Sequence, residues 1–227
     1  MLRILVIADM HGEIELVSKL LDNINPDDFD LVICPGDFTD MFNIPDGFTQ
    51  IDVAEILLQK LLSFGKPVLT VPGNHDPYEM VELFDEYGVN LHEEVKKIGE
   101  FNFMGFGGAM TPFNTKFEPT EEEIKQALEK MYEKINGKFI LVTHSPPFNT
   151  KLDLTETGDH VGSKVIREFI ESKQPILSIS AHIHESGGID KLGKTTLFYP
   201  GVSFEGKYGI VKIDGKNVEC EIKTLKI

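Results

Sequence analysis

The sequence predicts a single α/β domain, spanning residues 1–227, in which two packed sheets are flanked by helices. Short apolar runs alternate with amphipathic helical patterns over residues 2–87, which is typical of a parallel sheet covered by helices. Beyond residue 90 the strand patterns continue, and some follow each other without a helix between them. No linker, internal repeat or low-complexity tract divides the chain.

The first part of the chain predicts three strand–helix units. Apolar runs at residues 2–8, 31–34 and 68–71 predict buried strands, and residues 13–24, 51–64 and 77–87 predict the helices that follow them. Asp76 precedes Pro77, and this pair is typical of a helix start. We therefore expect Asp76 to be the N-cap of the third helix.

The second part of the chain changes its pattern. Residues 90–108 hold two strand-like stretches around Gly99, which predict a hairpin or a meander. A capping-box signature from Thr120 to Glu123 predicts a helix that runs to about residue 135. Residues 139–143 and 176–180 predict buried strands with a helix at 163–173 between them, and turn signals at 191–194 and 214–216 divide the remainder into antiparallel ribbon.

Composition narrows the classes of partner. The chain has 227 residues and a net charge of -15, which opposes non-specific attraction to nucleic acid and to anionic membranes. Only two arginines occur, Arg3 and Arg167, so bidentate arginine clamps are not expected to recognise phosphate. An anionic substrate would therefore need bound cations.

The two cysteines, Cys34 and Cys220, lie far apart in apolar stretches, which favours a reduced compartment. With no signal peptide or membrane span recognisable, we expect a cytoplasmic protein.

Residues that can bind metals, namely Asp, Asn and His, follow five of the predicted strands. Five of the seven histidines lie at these positions. Loops that leave the carboxyl ends of parallel strands converge on one crevice, so imidazoles and carboxylates gathered there indicate a metal site. The residues are Asp9 and His11, then Asp37, then Asn74, His75 and Asp76, then His144, and finally His182 and His184.

Each cluster alone has an ordinary explanation. Asp37 and Asp40 could be loop or capping residues, and a lone histidine such as His144 is more often a buried residue with satisfied hydrogen bonds. Asp9 and His11 are two residues apart, so both side chains would leave one face if the strand remained extended, and His182 and His184 repeat this spacing. His92 and His160 are expected at the surface. The joint placement favours the metal site, because burying these groups together without a cation would leave uncompensated charge.

The ordered series Asp-x-His, Gly-Asp, Gly-Asn-His-Asp, a lone His and His-x-His resembles the calcineurin-like metallophosphoesterases. The resemblance covers residues 9–184 and is specific as a set of five blocks in order. Gly36, Asp37 and Asp40 also match the family's Gly-Asp-x-x-Asp spacing, and residues 199–201 resemble a late turn of many members.

The resemblance implies a four-layer αββα sandwich with a dinuclear metal centre bridged by Asp37. His75 would contact the phosphate and donate a proton to the leaving oxygen, and Asp40 would hold its ring. The mixed donors favour Mn, Fe, Zn, Co or Ni over calcium, with Mn the first to test. The implied ligands of one site are Asp9, His11 and His184 and those of the other are Asn74, His144 and His182.

The expected function is hydrolysis of a phosphomonoester or phosphodiester by a metal-activated water, on a small substrate, with nucleotide-like esters among the candidates. Two alternatives stay open: a non-catalytic metal-binding scaffold of the same fold, and a nuclease of the same superfamily, which the acidic balance disfavours. The substrate, the native metal and the oligomeric state are not fixed by the sequence. Residues 111–119 and 145–162, with Phe113, Phe117 and Phe148, are the expected specificity loops, and packing is the favoured role of these phenylalanines.

Three positions depart from the family pattern. Ala181 stands where a glycine usually precedes the final His-x-His, so a positive φ at this residue would be strained by about 1 to 2 kcal/mol. Met10 lies inside the first motif where many relatives carry a small or polar residue. Tyr199 occupies a position where asparagine is common.

Overall fold

A computed structural model describes the whole chain, residues 1–227. It contains five α-helices and two mixed sheets, as the sequence predicts. The helices are α1 (Ile14–Asp22), α2 (Gln50–Leu62), α3 (Met80–Glu86), α4 (Glu121–Tyr132) and α5 (Lys164–Lys173). The strands are β1 (Leu2–Val6), β2 (Leu31–Cys34), β3 (Val68–Thr70), β4 (Val95–Ile98), β5 (Phe101–Phe106), β6 (Phe139–Thr143), β7 (Leu177–Ile179), β8 (Gly188–Leu192), β9 (Thr195–Tyr199), β10 (Lys207–Asp214) and β11 (Asn217–Thr224).

Both sheets have a parallel centre and antiparallel edges. The first sheet has the order β11-β10-β1-β2-β3, with β1, β2 and β3 parallel and β10 antiparallel to β1. The second has the order β4-β5-β6-β7-β9-β8, with β5, β6, β7 and β9 parallel. The carboxyl ends of parallel strands share one edge in each sheet, and this edge carries the loops of the predicted site.

Three separate apolar cores divide the molecule into four layers. Alternate residues of β1 face opposite sides, so Leu5 packs against α1, α2 and α3 while Ile4 and Val6 pack between the sheets. In β6, Ile140 and Val142 face the central core, whereas Leu141 packs against α4 and α5. The order helix, sheet, sheet, helix confirms the predicted αββα sandwich.

Of the two helix caps that the sequence predicts, one is confirmed and the other is wrong. Thr120 and Glu123 form the predicted capping box of α4, with Glu123 N donating to Thr120 Oγ1 over 3.2 Å. The prediction that Asp76 caps the third helix is wrong, because α3 begins at Met80 and Glu79 occupies its N-cap without a side-chain hydrogen bond. Asp76 is fully buried and bonds elsewhere, as described below.

The predicted hairpin around Gly99 is confirmed, since β4 and β5 pair antiparallel across it. The two predicted turns of the final segment are confirmed, and each joins the strands of an antiparallel hairpin. β8 and β9 lie at the edge of the second sheet, and the chain then crosses to the first sheet for β10 and β11. None of the helices combines the length and the apolar character needed to cross a membrane.

Candidate metal centre

The loops that follow the strands turn sharply at several predicted site residues. Asp9, His11, Asp37 and His182 have φ values of 49°, 47°, 52° and 81°, all in the left-handed region. The expectation that Asp9 and His11 leave one face of an extended chain is therefore wrong. Glycine usually occupies such positions because it has no Cβ. These four residues are not glycines, so contacts with neighbouring loops must hold their backbone conformation. One such contact is from Met10 N and His11 N to the carbonyl of Asp37.

These loops bring the predicted site residues together in three groups. One consists of His11, Asp40 and His75, and the two described next share a carboxylate. In the first group, one ligand atom each from Asp9, His11, Asp37 and His184 lie within 4.8 Å of one another. In the second, Asp37, His144 and His182 meet the same limit. Asp37 belongs to both groups and is 1 % exposed.

On the first side, three polar atoms converge. His11 Nε2 lies 3.0 Å from His184 Nε2 and 3.3 Å from Asp37 Oδ2. Asp9 is fully buried, and its Oδ1 accepts a hydrogen bond from the backbone of His182 over 3.3 Å. Two imidazole nitrogens and two carboxylates are donors suited to a first-row divalent metal.

On the second side, hydrogen bonds outside the pocket fix which atoms face it. His144 Nδ1 donates to the carbonyl of Pro35 over 2.8 Å, and this hydrogen bond turns Nε2 towards Asp37 Oδ2, 3.3 Å away. Asn74 Nδ2 donates to Thr115 Oγ1 over 3.1 Å, which directs Oδ1 to within 2.9 Å of His144 Nε2. Orientation of ligand atoms by such outer hydrogen bonds is typical of metal sites.

Asp37 and the histidines around it shift each other's pKa values. Burial disfavours the charged forms of His11 and His144, yet the charge and hydrogen bonds of Asp37 outweigh it and raise the pKa of each to about 9. Burial also opposes ionisation of Asp37, but the two histidines hold its pKa well below the usual range. Burial and then the charge of His144 lower the pKa of His182 to about 3. Asp37 thus favours the charged forms of His11 and His144, whereas His182 favours its neutral form.

His75 and Asp40 form a pair at the mouth of the pocket. His75 Nδ1 lies 3.1 Å from Asp40 Oδ1, and the side chains are 19 % and 24 % exposed. The backbone nitrogen of His75 donates to Asp37 Oδ1 over 2.9 Å, which ties its position to the centre of the site. A carboxylate at Nδ1 leaves Nε2 free to act on a bound molecule.

Asp76 has a role that the sequence did not reveal. Its carboxylate accepts hydrogen bonds from the backbone of Phe38, Thr39 and Gly73 over 3.1, 2.9 and 2.8 Å, and from Thr39 Oγ1 over 2.8 Å. It thus joins the loops after β2 and β3. Burial, followed by the charge of Asp37, raises its pKa to about 6. A carboxylate next to Pro looks the same in sequence whether it caps a helix or binds a neighbouring loop.

Tyr199 is a second residue whose position bears on the site. It ends β9, is fully buried, and donates from its hydroxyl to Asp9 Oδ2 over 2.5 Å. Burial and the charge of Asp9 raise the pKa of this phenol well above its usual value, so it stays a donor. The predicted strain at Ala181 is absent, because the left-handed φ falls on His182 instead.

Two aromatic residues that the sequence analysis did not single out, Phe42 and Phe204, lie beside this centre. Phe42 is 68 % exposed with its ring 5.7 Å from that of His75, and the Phe204 ring lies 5.9 Å from His11. Phe117 is buried, in line with a packing role, whereas Phe113 is 73 % exposed. Met10 is fully buried in the core beneath α1 and lies outside the pocket.

The expectation of a surface position is wrong for His92, whereas the His160 side chain is 31 % exposed. The His92 side chain is 10 % exposed and its Nδ1 accepts from Gly107 N over 2.9 Å, while burial lowers its pKa to about 4. His160 is half-buried and its Nδ1 lies 2.8 Å from Asp153 Oδ1. Asp153 also accepts from the backbone of Asn149, Thr150 and Gly162, so His160 helps to hold this loop together.

Comparison with known proteins agrees with this architecture. The sequence pattern of the calcineurin-like phosphoesterases matches residues 2–186. The chain belongs to the calcineurin-like phosphoesterase family. A relative in Methanocaldococcus jannaschii, described as an uncharacterised protein, is 36 % identical over 95 % of this chain and 97 % of its own length.

Two solved structures have the same fold as this chain. A protein of Thermus thermophilus superposes with a TM-score of 0.74 at 18 % identity, over 97 % of this chain and 98 % of that one. A dimetal phosphatase of Danio rerio superposes with a TM-score of 0.63 at 13 % identity, covering 98 % of each chain. These likenesses support the two-sheet architecture.

Proposed function

We propose that the chain, as one metallophosphoesterase domain spanning residues 1–227, hydrolyses a phosphomonoester or phosphodiester with two divalent metal ions. The proposed ligands are Asp9, His11, Asp37 and His184 for one ion, and Asp37, Asn74, His144 and His182 for the other. Mn is the first metal to test, and Fe, Zn, Co and Ni are suited to the same donors.

One observation carries the proposal: Asp37 is the single carboxylate shared by both groups of converging donor atoms. A carboxylate shared by both groups would suit two adjacent cations, because its negative charge would offset part of the charge of each ion. The raised pKa values of His11 and His144 point the same way, since they report a potential that attracts positive charge. The structural neighbour from Danio rerio is a dimetal phosphatase, and its two-metal chemistry is consistent with the proposal.

The metal ions, Asp40 and His75 would have different roles in ester hydrolysis. When bound, the metal ions would lower the pKa of a water molecule and offset the negative charge that develops on the phosphoryl group. Asp40 accepts a hydrogen bond from His75 Nδ1 and so keeps the ring oriented. His75 would then donate the proton at Nε2 to the leaving oxygen, which departs as an alcohol rather than as an alkoxide.

The substrate that we propose is a small phosphate ester. The exposed ring of Phe42 beside His75 offers an apolar surface for the leaving group. Phe113 lies in the 111–117 loop, whose backbone at Lys116 and Phe117 donates to the carbonyl of Asn74. Aromatic surfaces suit a nucleotide-like ester, which therefore belongs in the first substrate panel.

The first experiment is a panel of monoesters and diesters with metal-free protein and added Mn, Fe, Zn, Co or Ni. We expect hydrolysis that depends on the metal, disappears with chelator and is absent in Asp37→Asn. No turnover of any ester, in protein shown to bind two metal ions, would favour the scaffold alternative. Cleavage of single-stranded DNA with little action on small esters would favour the nuclease.

The proposed proton donor is tested by leaving-group dependence. General acid catalysis contributes roughly 100-fold to 10,000-fold, so His75→Ala should reduce kcat by this range for an alkyl ester. The loss should be smaller for a p-nitrophenyl ester, because that leaving group needs little protonation. His92→Asn is the matched control, since asparagine can still accept from Gly107 N and the residue lies outside the site. Equal losses for both esters would contradict the assignment.

A further inference from the structure

A second cavity lies at the end of the molecule opposite to the metal centre. Its volume is about 530 Å³, and it is lined by the residues that precede β6 and β7 and by the turns of the β8–β9 and β10–β11 hairpins. The metal site lies at the carboxyl ends of the parallel strands, whereas this cavity lies at their amino ends. The two sites share no residue.

Four lysines line this cavity: Lys138, Lys173, Lys194 and Lys216. No aspartate or glutamate lines it, although the chain holds 37 acidic residues and a net charge of -15. In a protein of this charge, lysines would be expected to lie among carboxylates. The lining of the cavity therefore has the opposite sign to the molecule as a whole.

Three of these lysines have no carboxylate partner. Lys138 Nζ lies 2.8 Å from Glu100 Oε2. Lys173, Lys194 and Lys216 have no acidic oxygen within 4.0 Å, and Lys173 Nζ lies 4.6 Å from the centre of the Tyr132 ring. Three unpaired lysine charges around one cavity repel each other, and an anion bound there would reduce this repulsion.

The lysines are not needed to cap the helix that ends beside them. The carbonyls at the end of α5 already accept from Gln174, whose Nε2 donates to Ile170 and Glu171 over 2.9 and 3.1 Å. Gln174 Oε1 in turn accepts from Lys194 N over 2.6 Å, which joins the end of α5 to the β8–β9 turn. This turn is close-packed, because a Cβ at Gly193 would lie 2.5 Å from Gln174 Oε1. One wall of the cavity is thus fixed by hydrogen bonds.

We propose that this cavity binds a small anion that carries several phosphate groups, such as a short polyphosphate or a polyphosphorylated metabolite. The volume of about 530 Å³ is of the size that small ligands occupy. A single phosphate would offset at most two of the lysine charges, so an anion with more charges fits better. A long polyanion such as nucleic acid fits poorly, because it would extend over the acidic surface outside the cavity.

The test measures binding of inorganic tripolyphosphate by calorimetry, with metal-free protein in chelator and at low salt. We expect one site per chain, weaker binding of orthophosphate, and an affinity that falls as salt rises. The Lys194→Gln/Lys216→Gln double variant should bind at least about tenfold more weakly, since two charged contacts are lost. Circular dichroism checks that the double variant is folded.

Two controls make the outcome decisive. Lys19→Gln/Lys60→Gln has the same change in net charge but alters lysines that pair with Glu15 and Asp22. If this control weakened binding as much as the cavity variant, the effect would be one of net charge and the proposal would be wrong. Asp37→Asn should bind tripolyphosphate as the wild type does. Loss of binding in Asp37→Asn, or no saturable binding at all, would also overturn the proposal.

Discussion

At the scale of single residues, the Asp9 carboxylate illustrates how the site is held. One of its oxygens accepts from His182 N and the other from the hydroxyl of Tyr199. The Asp9 and Tyr199 side chains are fully buried, so neither can exchange its partner for bulk water. A buried carboxylate that lost one of these donors would be free to rotate or would bear an unsatisfied oxygen. Tyr199 is thus a positioning residue for a proposed metal ligand.

Tyr199→Phe removes only the hydroxyl and should therefore weaken metal binding while leaving the fold intact. Outer partners of metal ligands typically contribute about 10-fold to 100-fold to affinity, so we expect a rise in the metal Kd within this range. Competition with a chromogenic chelator measures it. Tyr208→Phe is the matched control, because Tyr208 is also a buried tyrosine but lies in β10 and packs against the α1 to α3 core. An unchanged metal Kd in Tyr199→Phe would show that Tyr199 does not position Asp9 for metal binding.

At the scale of elements, the loops after β2 and β3 are packed against each other with no space to spare. The backbone of Gly73 passes directly over Asp37, and a Cβ at Gly73 would overlap the Asp37 carboxylate and its backbone nitrogen. Gly36 is equally constrained, with a φ of 108° and His144 Nδ1 2.6 Å from the position of a Cβ. Glycine at these points lets three strand ends, those of β2, β3 and β6, present Asp37, Asn74 and His144 to one pocket.

Gly73→Ala should displace Asp37 and destabilise the protein. Overpacking of this kind costs about 1 to 3 kcal/mol, and the shift of Asp37 should also lower metal affinity. Urea denaturation measures the free energy of unfolding, and chelator competition measures the affinity. Gly188→Ala serves as the control, because its Cβ would have no neighbour closer than 3.7 Å and its φ is not in the left-handed region. Equal stability of the two variants would contradict the close packing at Gly73.

The sequence predicted the elements better than the loops between them. The buried strands and all five helices could be found because apolar periodicity records which face packs inward. The convergence of Asp9, Asp37, His144 and His184 could also be predicted from their positions after strands. The local backbone could not, since the left-handed φ of His11 and His182 depends on contacts with distant loops. The same holds for Asp76 and Tyr199, whose partners are far away in sequence.

At the scale of the whole molecule, the proposed metal pocket lies where the two sheets meet. Asp9, Asp37 and Asn74 come from the first sheet, and His144, His182 and His184 from the second. A cation bound to both sets of residues would connect the sheets as well as support the reaction. Metal binding should therefore raise the free energy of unfolding of the whole protein, whether or not a substrate is present.

Added metal should raise the midpoint of thermal unfolding. Ligand at about 100-fold above its Kd stabilises a folded protein by about 2.7 kcal/mol, which for a chain of this size corresponds to a rise of about 5 to 10 °C. Differential scanning calorimetry with chelator, and then with Mn or Zn, measures the shift. Asp37→Asn should lose most of it, because both groups of donors include this residue. The Lys194→Gln/Lys216→Gln variant should keep it, since its lysines lie at the opposite end of the strands. A shift that survived in Asp37→Asn would mean that the stabilising metal binds elsewhere, and the proposed pocket would then have to be abandoned.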